Sequence, residues 1–376
     1  MKFGYMIQLQ IPKPWTETTE SEAHLNAVEQ AVQAEEAGFD RIWITEQHFY
    51  VEIGHSAAPD MMLAAISQRT KRIRLGFGVV VMPCHHPFHI AERVSTLDIL
   101  SEGRAEFGFG RGTAEYITEG FGVSAEDARA YADESIEAVM SMFEHETFPG
   151  YKGKFFDLPS RKVVPRPLQA PHPPLWTAAS NLESWARAAK RGLGVIGVTR
   201  LPPEEAKPAV EAYWREIKAS NPDDWDGKYV NPSAGAFAIA CCHNDDAVGR
   251  EIAAAGARWY YGQNDAELNR LRFGSADGIK GVLATVKDRT DQELIDDAMV
   301  VGGDADTCSR VIERWANIGL DQIVLMMQAG HTTHDQVMRS LELIGESDPA
   351  FSVTWLTGCR TLNRRLIELT RRKYVM

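Results

Sequence analysis

Several short groups of polar residues each follow an apolar segment of strand length, where side chains could carry chemistry. They are Glu46-Gln47-His48, His85-His86, Gly110-Arg111-Gly112, Ala179-Ser180-Asn181 and Gln328-Ala329-Gly330-His331. The imidazole of His48 can donate or accept a proton near neutral pH, whereas the amide of Gln47 can only form hydrogen bonds. A single histidine is often structural, but the polar neighbours of His48 favour function. We therefore predict that His48, with Gln47 beside it, is catalytic.

A second group of residues could hold an anion. Arg111 follows a glycine-rich strand, and its planar guanidinium can bind two phosphate oxygens. Ser180 and Asn181 stand where a helix begins, and the free N–H groups of a helix start attract anions. The alternative is that Arg111 is a solvated surface residue and that Ser180-Asn181 is only a helix cap. The position of Arg111 directly after a strand favours the anion site.

The elements that must position these residues alternate between strand-length apolar segments and helical patterns, up to about residue 345. This order predicts an α/β fold, a single (β/α)8 barrel over residues 1–345. The predicted strands are 3–9, 41–45, 73–82, 104–110, 175–178, 195–199, 236–242 and 322–327. Because the carboxyl ends of barrel strands meet at one mouth, the polar groups should come together there.

Two segments interrupt the alternation. An aromatic and proline-rich stretch, residues 147–173, is predicted to be an insertion after the fourth helix. Its residues 148–156, together with Tyr116, are expected to exclude water from the mouth. A segment mixed in Asp, Arg and Gly, residues 260–300, is predicted to be an insertion or lid before the eighth helix. The arginine-rich tail, residues 346–376, is predicted to end in a docking helix.

Composition limits the partners. The net charge of −12 opposes binding to nucleic acid or to an anionic membrane. The five cysteines show no C-x-x-C spacing, so neither a disulfide framework nor a metal site is predicted. The first residues are too short an apolar stretch for a signal sequence, and a reducing cytoplasm fits the cysteines. The glycines at 108, 110 and 112 are spaced G-x-G-x-G, which does not indicate a dinucleotide site.

Three segments resemble the bacterial luciferase-like flavin-dependent monooxygenases and occur in the order of that family. They are residues 38–49 (GFDRIWITEQHF), residues 101–112 (SEGRAEFGFGRG) and residues 338–343 (MRSLEL). The resemblance implies a TIM barrel with FMN at its mouth, the phosphate being held by Arg111 and by Ala179-Ser180-Asn181. It also implies a cis peptide bond at Gly78-Val79 beneath the flavin ring, where the alternative is an ordinary buried strand.

The activity that the resemblance implies is oxygenation of a small, apolar or aromatic substrate. Reduced, diffusible FMN from a separate flavin reductase would react with dioxygen to a flavin hydroperoxide. A homodimer is also implied. Tyr116, His86 and His331 are candidates for lining the substrate pocket, and Glu46 is expected to hold the rim beside the cofactor through hydrogen bonds.

Two departures from the luciferases bear on the chemistry. Gln47 replaces the first histidine of a His-His pair, and Gly110 replaces a cysteine before the arginine. Luciferase-type aldehyde chemistry and light emission are therefore not expected. Two alternatives stay open: a deazaflavin-dependent hydride-transfer oxidoreductase, which would consume no dioxygen, and a non-catalytic flavin-binding protein.

Overall fold

Eight parallel strands close into a barrel in the computed structural model, which describes residues 1–112, 115–198, 201–273 and 286–346. Each strand pairs with the next, and the eighth pairs with the first. The strands are Lys2–Ile7, Arg41–Ile44, Arg74–Phe77, Ala105–Gly110, Leu175–Ala178, Gly194–Val198, Ala234–Cys242 and Gln322–Met326. The predicted (β/α)8 barrel is confirmed.

Helices follow the strands, and the long ones cover the outside of the barrel. They are Thr19–Glu36, Pro59–Arg69, Pro87–Leu100, Glu115–Gly120, Ala128–Glu144, Leu182–Lys190, Pro203–Ala219, Asp246–Phe273, Asp291–Asp296, Ala305–Asn317 and His334–Glu346. Among the residues that the structure describes, no helix combines the length and the apolar character needed to cross a membrane.

The third strand differs from its prediction as one continuous run. It stops at Phe77 and resumes as the short strand Val80–Val81, because the chain bends at Gly78-Val79, where the peptide bond is cis. At the end of the third strand, the carbonyl oxygen of Phe77 lies against Gly108 of the fourth strand. A Cβ atom on Gly108 would lie only 2.0 Å from that oxygen. A side chain therefore cannot fit at this position without a shift of the backbone.

Replacing Gly108 by alanine is expected to lower the free energy of unfolding by about 1 to 3 kcal/mol, the usual cost of overpacking. The matched control is Gly235→Ala in the seventh strand, where the new Cβ atom would have ordinary contacts of 3.4 Å or more. Urea denaturation of both variants measures the difference. An equal effect of the two substitutions would contradict the close contact at Gly108.

A buried ionic network joins four strands at the end of the barrel away from the mouth. Glu106 accepts hydrogen bonds from Arg41 Nε (3.2 Å), from Arg74 Nε and from Trp176 Nε1 (2.6 Å). Each of the four residues is the first or second residue of its strand. Because the carboxylate is only 1% exposed, these donors are needed to offset the loss of water around it.

The first predicted insertion, residues 147–173, contains an antiparallel hairpin of Tyr151–Lys152 with Asp157–Leu158. Its aromatic side chains pack against helices: the Phe148 ring lies 5.7 Å from Phe88, and the Phe156 ring 4.7 Å from Tyr131. Phe148 is fully buried. The expectation that this stretch excludes water from the mouth is therefore corrected for Phe148, which packs against the helix Pro87–Leu100 on the outside of the barrel.

The second predicted insertion, residues 260–300, begins as a continuation of the helix Asp246–Phe273. After the helix Asp291–Asp296, the short strand Val301–Gly303 pairs in parallel with the end of the seventh strand. Residues 274–285 of this segment, and the predicted docking helix within residues 347–376, lie outside the described residues.

Candidate functional site

Glu46 is the centre of a hydrogen-bonded cluster just beyond the second strand. Its Oε1 atom accepts from His48 Nε2 and from His85 Nε2, both at 2.7 Å, and Oε2 accepts from the Val81 N–H at 2.9 Å. The side chain is buried, with 3% exposure. Burial alone would raise the pKa of Glu46, but the hydrogen bonds from His48 and His85 more than offset it and leave the pKa lowered. The carboxylate is therefore ionised at neutral pH.

The cluster fixes the ring of His48. Because the ionised carboxylate accepts from Nε2, this nitrogen carries a proton, and Nδ1 is the atom that can exchange a proton with another group. The ring also packs edge-on against Phe121, with centroids 4.8 Å apart. These contacts hold the imidazole in one orientation, which is what a general acid or base requires.

The two adjacent histidines after the third strand have different roles. His85 contacts Glu46, whereas His86 is exposed and begins the helix Pro87–Leu100, its Nδ1 atom accepting from the Phe88 N–H at 3.3 Å. A residue before proline takes an extended backbone, which suits an N-cap. His85 is therefore the histidine of this pair that joins the cluster, and the lining of the substrate pocket by His86 stays a prediction.

Replacing Glu46 by glutamine is expected to lower the free energy of unfolding at neutral pH by about 1 to 3 kcal/mol. Glu46 accepts from three N–H groups, whereas a glutamine has only one acceptor oxygen for them. The NH₂ group of the glutamine would face an N–H donor and could not accept a hydrogen bond from it. The lowered pKa of Glu46 means that the carboxylate stabilises the fold above about pH 4.5, its ordinary value, and that this contribution disappears as the pH falls through the folded-state pKa.

The measurement is urea denaturation of wild type and variant at neutral and at acid pH. The difference between them should shrink as the pH falls. Glu17→Gln, at an exposed position, is the control and should change little. A difference that stays constant with pH would contradict an ionised Glu46.

An open cavity of about 220 Å³ lies at the carboxyl ends of the third, fourth and fifth strands. Val79, Arg111, Ser180 and Asn181, from three different strand ends, all line it. The two groups that were predicted to hold an anion therefore share one site, and they lie at the mouth of the barrel.

The helix start in this cavity is also a true cap. Asn181 Oδ1 accepts from the Ser184 N–H (2.9 Å), and Ser184 Oγ accepts from the N–H groups of Ser180 (3.1 Å) and Asn181 (3.0 Å). The N–H groups of Leu182 and Glu183 lie in the first turn, where no acceptor within the helix is available. The same residues can therefore cap the helix and still leave N–H groups that could bind an anion.

The charge of the cavity favours an anion, since four arginines and one aspartate line it: Arg111, Arg129, Arg187, Arg191 and Asp133. Arg191 is paired with Asp226 (2.8 Å) and Asp133 (3.1 Å). Burial raises the pKa of Asp226 to about 6, against the opposing effect of Arg191, so the pair is ionised at neutral pH. Arg129 forms no ion pair within the described part of the chain, and its charge remains uncompensated.

The other candidate residues are spread around the mouth. Val79 belongs to the cis peptide Gly78-Val79, as the resemblance implied. Ala179 is buried and its N–H donates to the carbonyl of Ile196, so it holds two strands together. The side chain of Gln47 packs against Gly54, and its N–H donates to the carbonyl of Ser56 at 3.2 Å.

Two candidates for the substrate pocket lie apart from each other. Tyr116 is 40% exposed, and its ring is 5.9 Å from Phe49, which in turn contacts His48. His331 instead lines a second cavity of about 240 Å³ with Gln10 and Gln328, beyond the first and eighth strands. The structure therefore brings Tyr116, but not His331, to the side of the mouth that holds His48.

Three residues of the site were not among the predicted site residues: His85, Phe121 and Arg129. Pro87 was a signal for His85, because it identifies His86 as a helix cap. Arg129 lies in the first turn of a helix and is far along the sequence from any strand end. No sequence pattern indicates that its side chain lies at the mouth.

Comparison with solved structures supports the fold. The oxygenating constituent of 3,6-diketocamphane monooxygenase from Pseudomonas putida, in complex with FMN, has a TM-score of 0.73 at 17% identity, over 92% of this chain and 97% of that one. An F420-dependent secondary alcohol dehydrogenase has a TM-score of 0.70 at 18% identity, over 93% and 98%.

Comparison of sequences gives the family. The chain is 28% identical to the oxygenase component of the flavin-dependent trigonelline monooxygenase of Acinetobacter baylyi over 197 residues, 52% of this chain and 53% of that protein. The family model described as luciferase-like monooxygenase matches residues 1–322. The chain therefore belongs to the luciferase-like monooxygenase family.

Proposed function

We propose that this chain is the oxygenase of a two-component system. It binds reduced FMN from a separate flavin reductase and uses dioxygen to oxygenate a small apolar or aromatic substrate. The observation that carries the proposal is the arginine-lined cavity at the mouth, shared by Arg111 and the helix start at Asn181. The trigonelline monooxygenase is named as an oxygenase component, which supports a reductase on a separate chain.

The residues present fit the phosphate of FMN. Arg111 offers a planar fork, and the first turn after Asn181 offers N–H groups with a favourable helix dipole. A Cβ atom on Gly110 would lie 3.1 Å from Val79 Cγ2, so a side chain there would crowd another residue that lines the cavity. The excess of arginine over aspartate in the cavity matches the negative charge of a phosphate monoester.

Each part of the site has one role in the proposed reaction. When bound, the reduced flavin supplies the electrons that activate dioxygen. His48 holds or moves a proton at Nδ1, and Glu46 keeps the ring oriented through Nε2. Val81 and His85 in turn hold the carboxylate of Glu46 in place. Preorganised groups of this kind need no rearrangement during the reaction.

The surroundings of His48 support an apolar or aromatic substrate. Phe49, Tyr116 and Phe121 are 40 to 50% exposed and form a contiguous aromatic rim beside the imidazole. A planar substrate that covers this rim would bury apolar surface and displace water from the reacting groups.

The second candidate is a deazaflavin-dependent hydride transfer, favoured by the likeness to the F420-dependent dehydrogenase. The absorbance spectrum of the bound chromophore separates FMN from deazaflavin.

The decisive test supplies the purified chain with chemically reduced FMN, ¹⁸O-labelled dioxygen and a panel of apolar and aromatic substrates. We expect one labelled oxygen atom in the product. Turnover without label, or with deazaflavin alone, would replace the proposal by hydride transfer. Absence of any turnover despite flavin binding would favour a flavin-binding protein.

The homodimer that the family resemblance implies also belongs to this proposal. Light scattering of the protein as it elutes from a size-exclusion column should give twice the chain mass of 41.8 kDa. The mass of a monomer would contradict the homodimer.

A further inference from the structure

We propose that Glu46, His48 and Cys84 form a binding site for one divalent metal ion of the zinc class, and that the bound metal takes His48 out of catalysis. The first part rests on the geometry of the three side chains alone. The second part rests on the proposed function, since it requires that His48 handles a proton.

The three ligand atoms already lie close together. A carboxylate oxygen of Glu46, a ring nitrogen of His48 and the Sγ atom of Cys84 are all within 4.8 Å of one another. Donor atoms around a tetrahedral zinc ion lie roughly 3 to 4 Å apart, given bond lengths of about 2.0 to 2.3 Å. Shifts of about 1 Å or less would therefore bring the three groups into coordination.

The carboxylate is held independently of His48. Val81 donates to Oε2, and His85 donates to Oε1, so Glu46 stays in position when His48 turns its Nε2 lone pair to a metal. Hydrogen bonds to ligating carboxylates orient metal sites in this way. The side chain of His48 is 12% exposed and that of His85 is 17% exposed, which gives a metal ion a route from the mouth.

Binding of the metal ion releases one proton, which comes from the thiol of Cys84. Burial raises the pKa of the Cys84 thiol, and the charge of Glu46 raises it further, so the thiol is protonated without metal. On binding, Cys84 gives its proton to solvent and bonds through sulfur. His48 binds through Nε2 and carries its proton on Nδ1, where it can no longer accept one. Carboxylate, imidazole and thiolate are the three donor types that zinc takes in proteins, with a fourth position left for water.

The sequence predicted no metal site, because the cysteines lack paired spacing. Glu46 and His48 follow the second strand and Cys84 follows the third, so the pairing of these two strands brings them together. This separation explains why spacing along the chain carries no signal.

The test titrates the full flavin-free chain with Co²⁺, whose spectrum reports the ligands directly. We expect visible bands of four-coordinate cobalt together with a near-ultraviolet sulfur-to-cobalt band, and their displacement by Zn²⁺. Cys84→Ser should abolish the sulfur band and weaken binding at least about tenfold. The matched control is Cys308→Ala, whose buried sulfur lies against Gly303 and Cys241, and which should leave the spectrum unchanged. Circular dichroism of both variants establishes that they are folded.

The outcomes separate this proposal from the proposed function. Absence of the sulfur band in wild type, its persistence in Cys84→Ser, or its loss in folded Cys308→Ala would overturn the metal site. Binding of FMN and labelled product would still stand in that case. Conversely, if the cobalt spectrum appears as expected but Zn²⁺ leaves product formation unchanged, the metal site stands and its inhibition of His48 is overturned.

Discussion

Replacement of His48 by glutamine is expected to lower the rate of product formation by roughly 100-fold or more, the usual loss when a general acid or base is removed. Glutamine can still donate a hydrogen bond to Glu46, so the cluster should keep its shape, but an amide cannot move a proton near neutral pH. Affinity for FMN should change by less than about twofold, because the phosphate cavity lies at other strand ends. Turnover with saturating reduced FMN and fluorescence titration of oxidised FMN measure the two quantities.

The matched control is His86→Gln, one residue from the cluster. His86 caps a helix and does not contact Glu46, so its replacement should affect stability more than turnover. A similar loss of rate and of flavin affinity in His48→Gln would contradict a role in proton transfer. A similar loss of rate in the two variants would indicate a structural effect of either histidine.

Replacement of Arg111 by alanine is expected to weaken binding of FMN roughly 10- to 100-fold, since a hydrogen-bonded charge contributes about 1.5 to 3 kcal/mol. Binding of riboflavin, which lacks the phosphate, should hardly change. The comparison of the two flavins isolates the phosphate from the ring. Equilibrium fluorescence titration measures both affinities on the same protein.

Arg161→Ala provides the control for the loss of a positive charge. Arg161 lies in the inserted hairpin region, is exposed and bonds to the carbonyl of Ser160. Its replacement should leave both affinities unchanged. If Arg111→Ala weakened riboflavin as much as FMN, or affected neither, the phosphate would have to be held elsewhere, with Arg129 as the next candidate.

Most of the barrel could be predicted from the sequence because parallel strands buried on both faces leave short apolar runs between helical patterns. The fifth strand was predicted at its observed bounds, and the others within about two residues of theirs. The third strand was the exception. Its apolar run continues through Gly78 and Val79, and hydrophobicity alone does not show that the chain bends there.

Segments with mixed composition were harder to predict. The helix Asp246–Phe273 continues into residues 260–300, which were predicted to be an insertion or lid, because the charged residues of that segment hide the helical pattern. Packing against the neighbouring strand Val301–Gly303, which pairs with the seventh strand, is a tertiary effect that local sequence does not contain.

The candidate site was predictable where its residues follow strands and not where they meet through the fold. His48 and Arg111 stand directly after barrel strands, and barrel topology alone places such residues at the mouth. The contact between His85 and Glu46 depends instead on the turn Met82–Cys84, which directs one of two identical neighbouring side chains inward. Only the tertiary structure distinguishes His85 from His86.

The buried carboxylate of Glu106 bears on which parts of this protein can tolerate mutation. It ties four strands together at their amino-terminal ends, so part of the rigidity of the fold is independent of the loops that surround the reacting groups. Random libraries confined to those loops should therefore yield many folded variants with altered selectivity. Comparable libraries around Arg41 and Trp176 should yield mostly insoluble protein.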